Sequence, residues 1–118
     1  DVCSSDLFAT PTGSTAYSLS AGGPILAPKM ECILMTPVCP HSLFSRSVLF
    51  SGESELSVHV KIPEECCCVL TIDGEKNVPV LATDRVVIRK SDLKLKLALL
   101  HNRNFYKLLN EKLKERDF

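Results

Sequence analysis

Short apolar segments, each closed by a turn signal, most limit how this chain of 118 residues folds. In the segment 55–62, apolar residues alternate with polar ones, which is the pattern of a strand with one buried face. The pair Asp73 and Gly74 is typical of a hairpin turn between two such strands. Because these segments recur at close spacing, the sequence predicts a mainly β fold, an antiparallel sandwich or barrel-like domain. The predicted strands are 31–38, 46–50, 55–62, 67–72, 78–81, 84–90 and 92–100.

One C-terminal helix follows the predicted strands. After residue 103 the apolar residues recur at helical spacing with charged residues between them, so one face of this helix is apolar. Asn102 or Asn104 is the predicted N-cap. The apolar face consists of Phe105, Leu108, Leu109 and Leu113.

A second, shorter helix is predicted near the N-terminus, in the segment 10–24, which is rich in hydroxyl groups and glycine. We expect Ser14 or Thr15 to cap a helix that runs from Tyr17 to about Ala21, and the two glycines that follow to end it. The start of such a helix offers free backbone N–H groups that suit phosphate or other polar ligand atoms. A capped helix without any ligand explains the same residues, so the local pattern leaves both readings open.

Composition and charge exclude several classes of function. The formal net charge is zero. The basic residues after Lys61 are interleaved with acidic ones, which predicts a solvated surface and no nucleic-acid partner. No apolar run reaches the roughly 20 residues of a membrane-spanning helix. The chain also lacks the Gly-x4-Gly-Lys-Ser/Thr phosphate loop and the Gly-x-Ser-x-Gly hydrolase elbow.

The six cysteines do not form a metal-binding pattern. No Cys-x2-Cys pair is matched by a second pair, so we predict no structural zinc site. On a strand, Cys66 and Cys68 would share one face and Cys67 would point to the other. We expect these thiols to be buried and to act as small apolar side chains in a reducing cytoplasm.

The segment 10–24, Thr-Pro-Thr-Gly-Ser-Thr-Ala-Tyr-Ser-Leu-Ser-Ala-Gly-Gly-Pro, resembles a motif of NAD kinases almost letter for letter. Further matches follow in the order of that family: a strand and turn at 36–43, an Asp-Gly turn at 71–74, a strand at 84–91 and a closing helix at 104–113. The resemblance covers 8–118, and the chain is identified as a member of this family. It implies the antiparallel, sandwich-like C-terminal domain of an NAD kinase, with the N-terminal α/β domain absent.

The resemblance also implies an activity. NAD kinases transfer the γ-phosphoryl group of ATP to the 2′-hydroxyl of the adenosine ribose of NAD, giving NADP. It implies that NAD and ATP are partners, that a divalent metal such as Mg²⁺ accompanies ATP, and that the full-length enzyme is a cytoplasmic homo-oligomer. The Gly-Gly-Asp-Gly motif with the family's catalytic aspartate, and the Asn-Glu motif, do not occur in this chain. We therefore expect the isolated chain to bind no metal and to be inactive.

The family's binding residues carry over onto the hydroxyl-rich segment and the Asp-Gly turn. Glu75 stands where the family often has Gln, and an ionised carboxylate accepts hydrogen bonds without donating them. Its contact with the substrate is therefore expected to differ. The implied dinucleotide-binding residues are Thr15, Ala16, Tyr17, Ser18, Leu19, Ser20 and Glu75, with Thr12, Gly13 and Asp73 as further candidates; no catalytic or metal-binding residue is implied.

The first seven residues, Asp-Val-Cys-Ser-Ser-Asp-Leu, do not resemble the family. They match the in-frame translation of a sequencing-adapter oligonucleotide, so we interpret 1–7 as non-native and 8–118 as the β-rich domain. The family has an aspartate that would fall at Ser4 or Ser5, followed by an apolar strand. Because polar residues break the apolar pattern here, we expect 1–6 to form no strand, with pairing possible only from Leu7 onward.

Two alternative functions remain open on the sequence. A non-enzymatic β-sandwich interaction module explains the strands but gives the hydroxyl-rich segment no purpose. A lipid kinase of the diacylglycerol or sphingosine type shares the overall architecture but lacks the run from Thr15 to Pro24. Binding of NAD or NADP by the full-length parent would discriminate between these readings.

Overall fold

The computed structural model describes residues 5–38, 45–62, 66–101 and 103–114. Within these ranges the chain is mainly β, and every strand pair is antiparallel, as the sequence predicts. A 3-10 turn, Thr12–Thr15, precedes the first helix. The strands are β1 (Ser5–Ala9), β2 (Cys32–Val38), β3 (Val48–Ser51), β4 (Glu55–Val58), β5 (Cys68–Ile72), β6 (Lys76–Val80) and β7 (Val86–Arg89), and the helices are α1 (Tyr17–Ser20) and α2 (Phe105–Lys114).

Among the described residues the strands form three small sheets. The largest has the order β1-β2-β3, with β2 in the centre. The second pairs β4 with β7, which lie far apart in the sequence, and the third is the β5–β6 hairpin. The two predicted strands 55–62 and 84–90 are therefore partners, although the sequence alone does not indicate that pairing.

The core lies beneath the central strand of the largest sheet. Leu34 of β2 is fully buried, and Ile33, Leu26 and Val80 are nearly so. No other described apolar side chain reaches this level of burial. The radius of gyration is 16.4 Å, above the roughly 13.5 Å expected of a compact chain of this length.

The β5–β6 hairpin turns at the predicted Asp-Gly pair. Asp73 has a φ of 51° and Gly74 a φ of 73°, so both residues adopt the left-handed conformation that a type I′ turn requires. The backbone N–H of Glu75 donates to the carbonyl of Ile72 at 3.1 Å and closes the turn. Asn and Asp tolerate this conformation better than other non-glycine residues, which explains the dipeptide.

Strand β1 begins at Ser5, so the expectation that 1–6 form no strand is wrong for Ser5 and Asp6. These two residues pair with Val38 and Pro37 of β2. Their side chains are exposed, and the ladder is made by backbone groups, so polar side chains do not prevent the pairing. Residues 1–4 lie outside the described residues, and the origin of 1–7 stays a prediction.

The strand predicted at 92–100 is absent from the part of the chain that the structure describes. Its leucines alternate as a strand requires, yet Leu93, Leu95, Leu97 and Leu99 are 72–88% exposed. Alternation marks a face that has to be covered, but a strand also needs a partner for its backbone groups. No described strand supplies one.

Helix α2 follows the predicted C-terminal pattern. The Oδ1 atom of Asn104 accepts a hydrogen bond from the backbone N–H of Tyr106 at 2.9 Å, so Asn104 is the N-cap. The alternative N-cap, Asn102, lies outside the described residues. None of the helix residues is buried, and Phe105, Leu108 and Leu109 on the apolar face are half-buried.

Candidate functional site

The hydroxyl groups of the motif segment serve mainly to hold its own backbone. Ser14 is fully buried; its Oγ donates to the carbonyl of Pro11 at 2.7 Å and accepts from the backbone N–H of Leu26 at 3.0 Å. Thr15 Oγ1 donates to the carbonyl of Thr12 at 3.3 Å. The prediction that Ser14 or Thr15 caps α1 is therefore wrong, because the N-cap is Ala16 and no side chain bonds there.

The two glycines end α1 as predicted, and each has a different reason. Gly22 has a φ of 87°, and its N–H donates to the carbonyl of Leu19 while that of Gly23 donates to the carbonyl of Ser18. This is the Schellman pattern of a helix C-terminus. A Cβ on Gly23 would lie 2.4 Å from Ser18 Oγ and 2.7 Å from Thr36 Oγ1, so no side chain fits there.

A chain of hydroxyl groups ties α1 to the central strand. Ser18 Oγ lies 2.9 Å from Thr36 Oγ1, which lies 3.2 Å from Ser47 Oγ. Ser18 and Thr36 are 1% and 2% exposed. Their hydroxyls therefore bond to each other in place of the hydrogen bonds that they would make to water in the unfolded chain. These buried hydrogen bonds thus fix the position of α1 relative to β2.

An open cleft of about 670 Å³ lies above this support, between the motif segment, β1 and the hairpin turn. The motif segment directly follows β1 in the sequence, whereas the hairpin turn lies more than fifty residues further along the chain. Its lining residues are Leu7, Phe8, Ala9, Thr10, Gly13, Ala16, Tyr17, Ser18, Ser20, Ala21, Val38, Thr71, Asp73 and Gly74.

Tyr17 joins the motif segment to the hairpin turn. Its side chain is 71% exposed, although it opens a helix next to the core. A Cβ built on Gly74 would lie 3.5 Å from Tyr17 Oη, so the phenol ring extends toward the turn that Asp73 and Gly74 form. The aromatic ring and the tight turn are therefore neighbouring parts of the cleft lining.

The structure brings six of the ten predicted site residues to this cleft. They are Gly13, Ala16, Tyr17, Ser18, Ser20 and Asp73. Ser18 is at the cleft, but its hydroxyl is committed to Thr36. The other four, Thr12, Thr15, Leu19 and Glu75, are not among the described residues that line it.

Several lining residues were not predicted from the sequence. Leu7, Phe8 and Ala9 come from β1, Val38 from the end of β2, and Thr71 from β5. The register of β1 against β2, which pairs Leu7 with Thr36 and Ser5 with Val38, brings the strand residues there. No local signal in the sequence indicates that register. The Asp-Gly turn is therefore the one feature of the sequence that placed the hairpin near the predicted site.

A second cleft of about 670 Å³ lies elsewhere and differs in chemistry. It is bounded by the turn after β3 and the end of β7, and Lys90 forms an ion pair with Glu31 across it. Both acidic and basic side chains line it, including Glu53, Arg89 and Asp92. Most of its charges compensate one another, and none of the predicted site residues lies there.

The described residues show neither a metal-binding cluster nor a membrane-spanning helix. Among the described residues, no group of three or more His, Cys, Asp or Glu side chains is arranged to hold a metal ion. None of the helices in the described ranges is long and apolar enough to span a bilayer. Cys32, Cys66, Cys67 and Cys68 are free thiols, and the expectation that the thiols are buried is wrong for Cys66 and Cys67, which are exposed.

Comparison with known proteins decides the family. The model of the ATP-NAD kinase C-terminal domain matches residues 1–100. The chain belongs to the NAD kinase family. The match begins before Phe8 and so includes the segment 1–7 that sequence reasoning set apart.

Curated NAD kinases match most of the chain. The NAD kinase of Carboxydothermus hydrogenoformans is 44% identical over 109 residues, which are 92% of this chain and 39% of that protein. The NAD kinase of Magnetococcus marinus is 45% identical over 107 residues, which are 91% of this chain and 35% of that protein. The chain thus spans less than two fifths of the length of these relatives.

A solved structure of the family has the same fold. The crystal structure of yeast NADH kinase complexed with NADH superposes with a TM-score of 0.70 at 28% identity, covering 96% of this chain and 36% of the yeast chain. The relationship therefore holds in three dimensions as well as in sequence.

Proposed function

We propose that this chain is the dinucleotide-binding portion of an NAD kinase that transfers the γ-phosphoryl group of ATP to the 2′-hydroxyl of the NAD adenosine ribose. The observation that carries the proposal is the meeting of the motif segment and the Asp73–Gly74 turn at one cleft. Its volume of about 670 Å³ falls within the roughly 300–1,000 Å³ of small-molecule sites.

The residues of the cleft suit the positioning of a dinucleotide. The exposed ring of Tyr17 offers a flat face on which a base or nicotinamide ring can stack. The hydroxyl of Ser20 and the carboxylate of Asp73 are polar groups that can bond ribose hydroxyls. Ala16 and Gly13 keep side chains out of the way, so that a ligand can approach the backbone.

We assign positioning and not proton transfer to this chain. The acceptor hydroxyl needs a general base within hydrogen-bond reach, and the family's Gly-Gly-Asp-Gly aspartate is absent from the sequence. Holding the acceptor rigidly is itself a large part of phosphoryl-transfer catalysis. The buried bonds of Ser14 and Ser18 beneath the cleft support that rigidity.

Metal, donor and assembly belong to the same proposal. A Mg²⁺ ion that accompanies ATP is held mainly by phosphate oxygens, water and one or two carboxylates. We assign no residue of this chain to it. We further propose that the parent enzyme is a homo-oligomer and acts in the cytoplasm, where the free thiols of Cys32, Cys66, Cys67 and Cys68 would stay reduced.

A chimeric enzyme tests the function directly. Residues 8–118 of this chain would replace the matching C-terminal region of the Carboxydothermus hydrogenoformans NAD kinase, with which the chain is 44% identical. We expect the chimera to form NADP from NAD and ATP, and the isolated chain to form none. Absence of NADP from a chimera that melts cooperatively would contradict the proposal.

The matched control is a chimera that carries Gly23→Leu. It should lose both the folded motif and the activity, because no side chain fits beside Ser18 and Thr36. Retention of activity in that variant would mean that the motif does not form the site.

A further inference from the structure

We propose that Cys66 and Cys68 are a redox-active thiol pair, which a small-molecule disulfide converts reversibly into a disulfide bond within the chain. The reagent class is a low-molecular-weight disulfide of the glutathione type, and the modification is a crosslink across one intervening residue. The site lies at the start of strand β5, and the proposal does not depend on the function proposed for the cleft.

The first observation is the exposure of the cysteine run 66–68. The side chains of Cys66 and Cys67 are exposed and that of Cys68 is half-buried, and all three are free thiols. Buried structural cysteines are inert, whereas accessible thiols take part in exchange and oxidation. A disulfide in solution therefore reaches the sulfur of Cys66 without unfolding of the chain.

The second observation is the position of the run relative to the sheet. Cys68 is the first residue of β5 and pairs with Val80 of β6, which is almost fully buried. Residues directly opposite each other on paired strands point to the same face, so Cys68 lies on the core-facing side of the hairpin. Cys66 precedes β5, so the β5–β6 ladder does not hold its backbone, and it can adjust to meet Cys68.

Covalent geometry selects Cys66 and Cys68 among the three possible pairs of the run. The Cα atoms of a disulfide are usually about 4.4–6.8 Å apart. Neighbouring residues have their Cα atoms about 3.8 Å apart, which is too close for either pair that includes Cys67. Residues two apart are at most about 7 Å apart, so a slight departure from full extension brings them into range. On an extended chain these two side chains also share one face, with Cys67 on the other.

The reaction consists of two successive thiol–disulfide exchanges. The thiolate of Cys66, the more exposed of the pair, attacks one sulfur of the reagent R–S–S–R; a bond forms between the Cys66 sulfur and S–R, the S–S bond of the reagent breaks, and one RS⁻ leaves. The thiolate of Cys68 then attacks the Cys66 sulfur and displaces the second RS⁻. Two protein thiols are oxidised to one disulfide, the reagent is reduced to two thiols, and these thiols take up the two protons that the cysteines lose. An excess of small thiol reverses both steps.

A metal ion is the alternative ligand for a cluster of thiols. In the ranges that the structure describes, no three His, Cys, Asp or Glu side chains are placed to bind a metal ion, although three cysteines are consecutive. Two ligands on one face of a short segment leave half of a tetrahedral Zn²⁺ site unfilled. The arrangement therefore favours exchange with a disulfide over metal binding.

Mass spectrometry of the 118-residue chain tests the proposal without any measurement of activity. The chain is incubated with millimolar glutathione disulfide, the remaining free thiols are alkylated, and fragment ions of the tryptic peptide 62–76 locate each modification. We expect a crosslink between Cys66 and Cys68, an alkyl or glutathionyl group on Cys67, and loss of the crosslink when a thiol reductant is added. A crosslink that includes Cys67, Cys32 or a second chain, or mixed disulfides alone, would overturn the proposal.

Serine variants provide matched controls. Cys67→Ser should keep the crosslink, whereas Cys66→Ser and Cys68→Ser should abolish it. In Cys68→Ser the second exchange is lost, and that exchange is fast because it is intramolecular. We therefore expect the mixed disulfide on Cys66 to accumulate about tenfold or more above its level in the unaltered chain. Equal accumulation in Cys67→Ser and Cys68→Ser would contradict the assignment of Cys68 as the second thiol.

The order of attack tests the contribution of the fold. Each variant is first checked for cooperative melting, and Cys68→Ala replaces Cys68→Ser if the serine variant does not melt cooperatively. In the folded chain we expect mixed disulfides to appear on the exposed Cys66 and Cys67 before Cys68 reacts, and in denaturant we expect all three thiols to react at similar rates. Similar rates in the folded chain would contradict Cys66 as the first nucleophile and overturn the proposed sequence of exchanges.

Discussion

The motif segment 10–24 and the C-terminal segment 91–114 differ in what they need in order to fold. In the motif segment, the buried hydroxyls of Ser14 and Ser18 find partners within the described chain. In the C-terminal segment, a strict alternation of leucine and polar residues produces no strand, and the leucines stay exposed. The hydrogen bonds of the motif segment are satisfied within the described chain, whereas an alternating pattern specifies only an apolar face and not the partner that covers it.

The largest effect is expected at the glycine that packs beneath α1. Gly23→Ala would push its Cβ to 2.4 Å from Ser18 Oγ, so the hydroxyl chain has to move. We expect the free energy of unfolding of the 118-residue chain to fall by about 2–4 kcal/mol in denaturant titration. Gly22→Ala is the control: nothing lies within 4 Å of its Cβ, and the left-handed φ alone should cost about 1 kcal/mol. Equal losses in the two variants would show that packing beneath α1 is not what fixes the motif.

The next effect concerns the hydroxyl chain itself. Thr36→Val keeps the shape of the side chain but leaves Ser18 Oγ buried without its partner. We expect a loss of about 1–3 kcal/mol in the free energy of unfolding. Thr71→Val removes a hydroxyl that bonds Asn77 at the exposed surface of the hairpin, and it should cost less than about 1 kcal/mol. A neutral Thr36→Val would contradict the role given to the chain of hydroxyls.

These two predictions concern features that the sequence only partly indicates. The strand segments, the Asp73–Gly74 turn and the glycines that end α1 follow from local signals, because turn chemistry and periodicity act over a few residues. The pairing of β4 with β7 does not, since it joins segments about thirty residues apart and nothing local encodes it. The same reason explains the candidate site.

The motif and the turn were identified from a resemblance, but the wall formed by Phe8, Val38 and Thr71 depends on register. For Ser14 and Ser18 the sequence indicated hydrogen bonding but suggested the wrong partners. Their hydroxyls suggested a cap and a ligand contact, and tertiary packing instead uses both as internal partners. Hydroxyl-rich composition indicates hydrogen bonding but not the partner.

At Tyr17 we expect a larger effect on substrate binding than on folding. Because this side chain is 71% exposed, Tyr17→Ala should change the free energy of unfolding by less than about 0.5 kcal/mol. In the active chimera we expect the KM for NAD to rise about fivefold or more, from the loss of a stacking face. Tyr17→Phe, which keeps the ring, should restore the KM. A lower melting temperature with normal NAD kinetics would place Tyr17 in the core.

The smallest effect belongs to the C-terminal segment of the isolated chain. Leu97→Ala removes a side chain that is 72% exposed. The free energy of unfolding of the chain should therefore change by less than about 0.5 kcal/mol. Leu34→Ala, at a fully buried position, should cost about 2–5 kcal/mol in the same denaturant titration. A large loss for Leu97→Ala would mean that the segment already packs within this chain.

The most direct test of the account is an NMR titration of the ¹⁵N-labelled 118-residue chain with NAD. Two clefts of about 670 Å³ compete for the ligand, and backbone shifts identify the one that binds. The account predicts saturable shifts at Gly13, at Ala16 to Ala21 and at Thr71 to Gly74, with none at Gly52 to Glu55 or Arg89 to Asp92. Shifts that centre on the charged cleft, or no shifts at millimolar NAD, would contradict it.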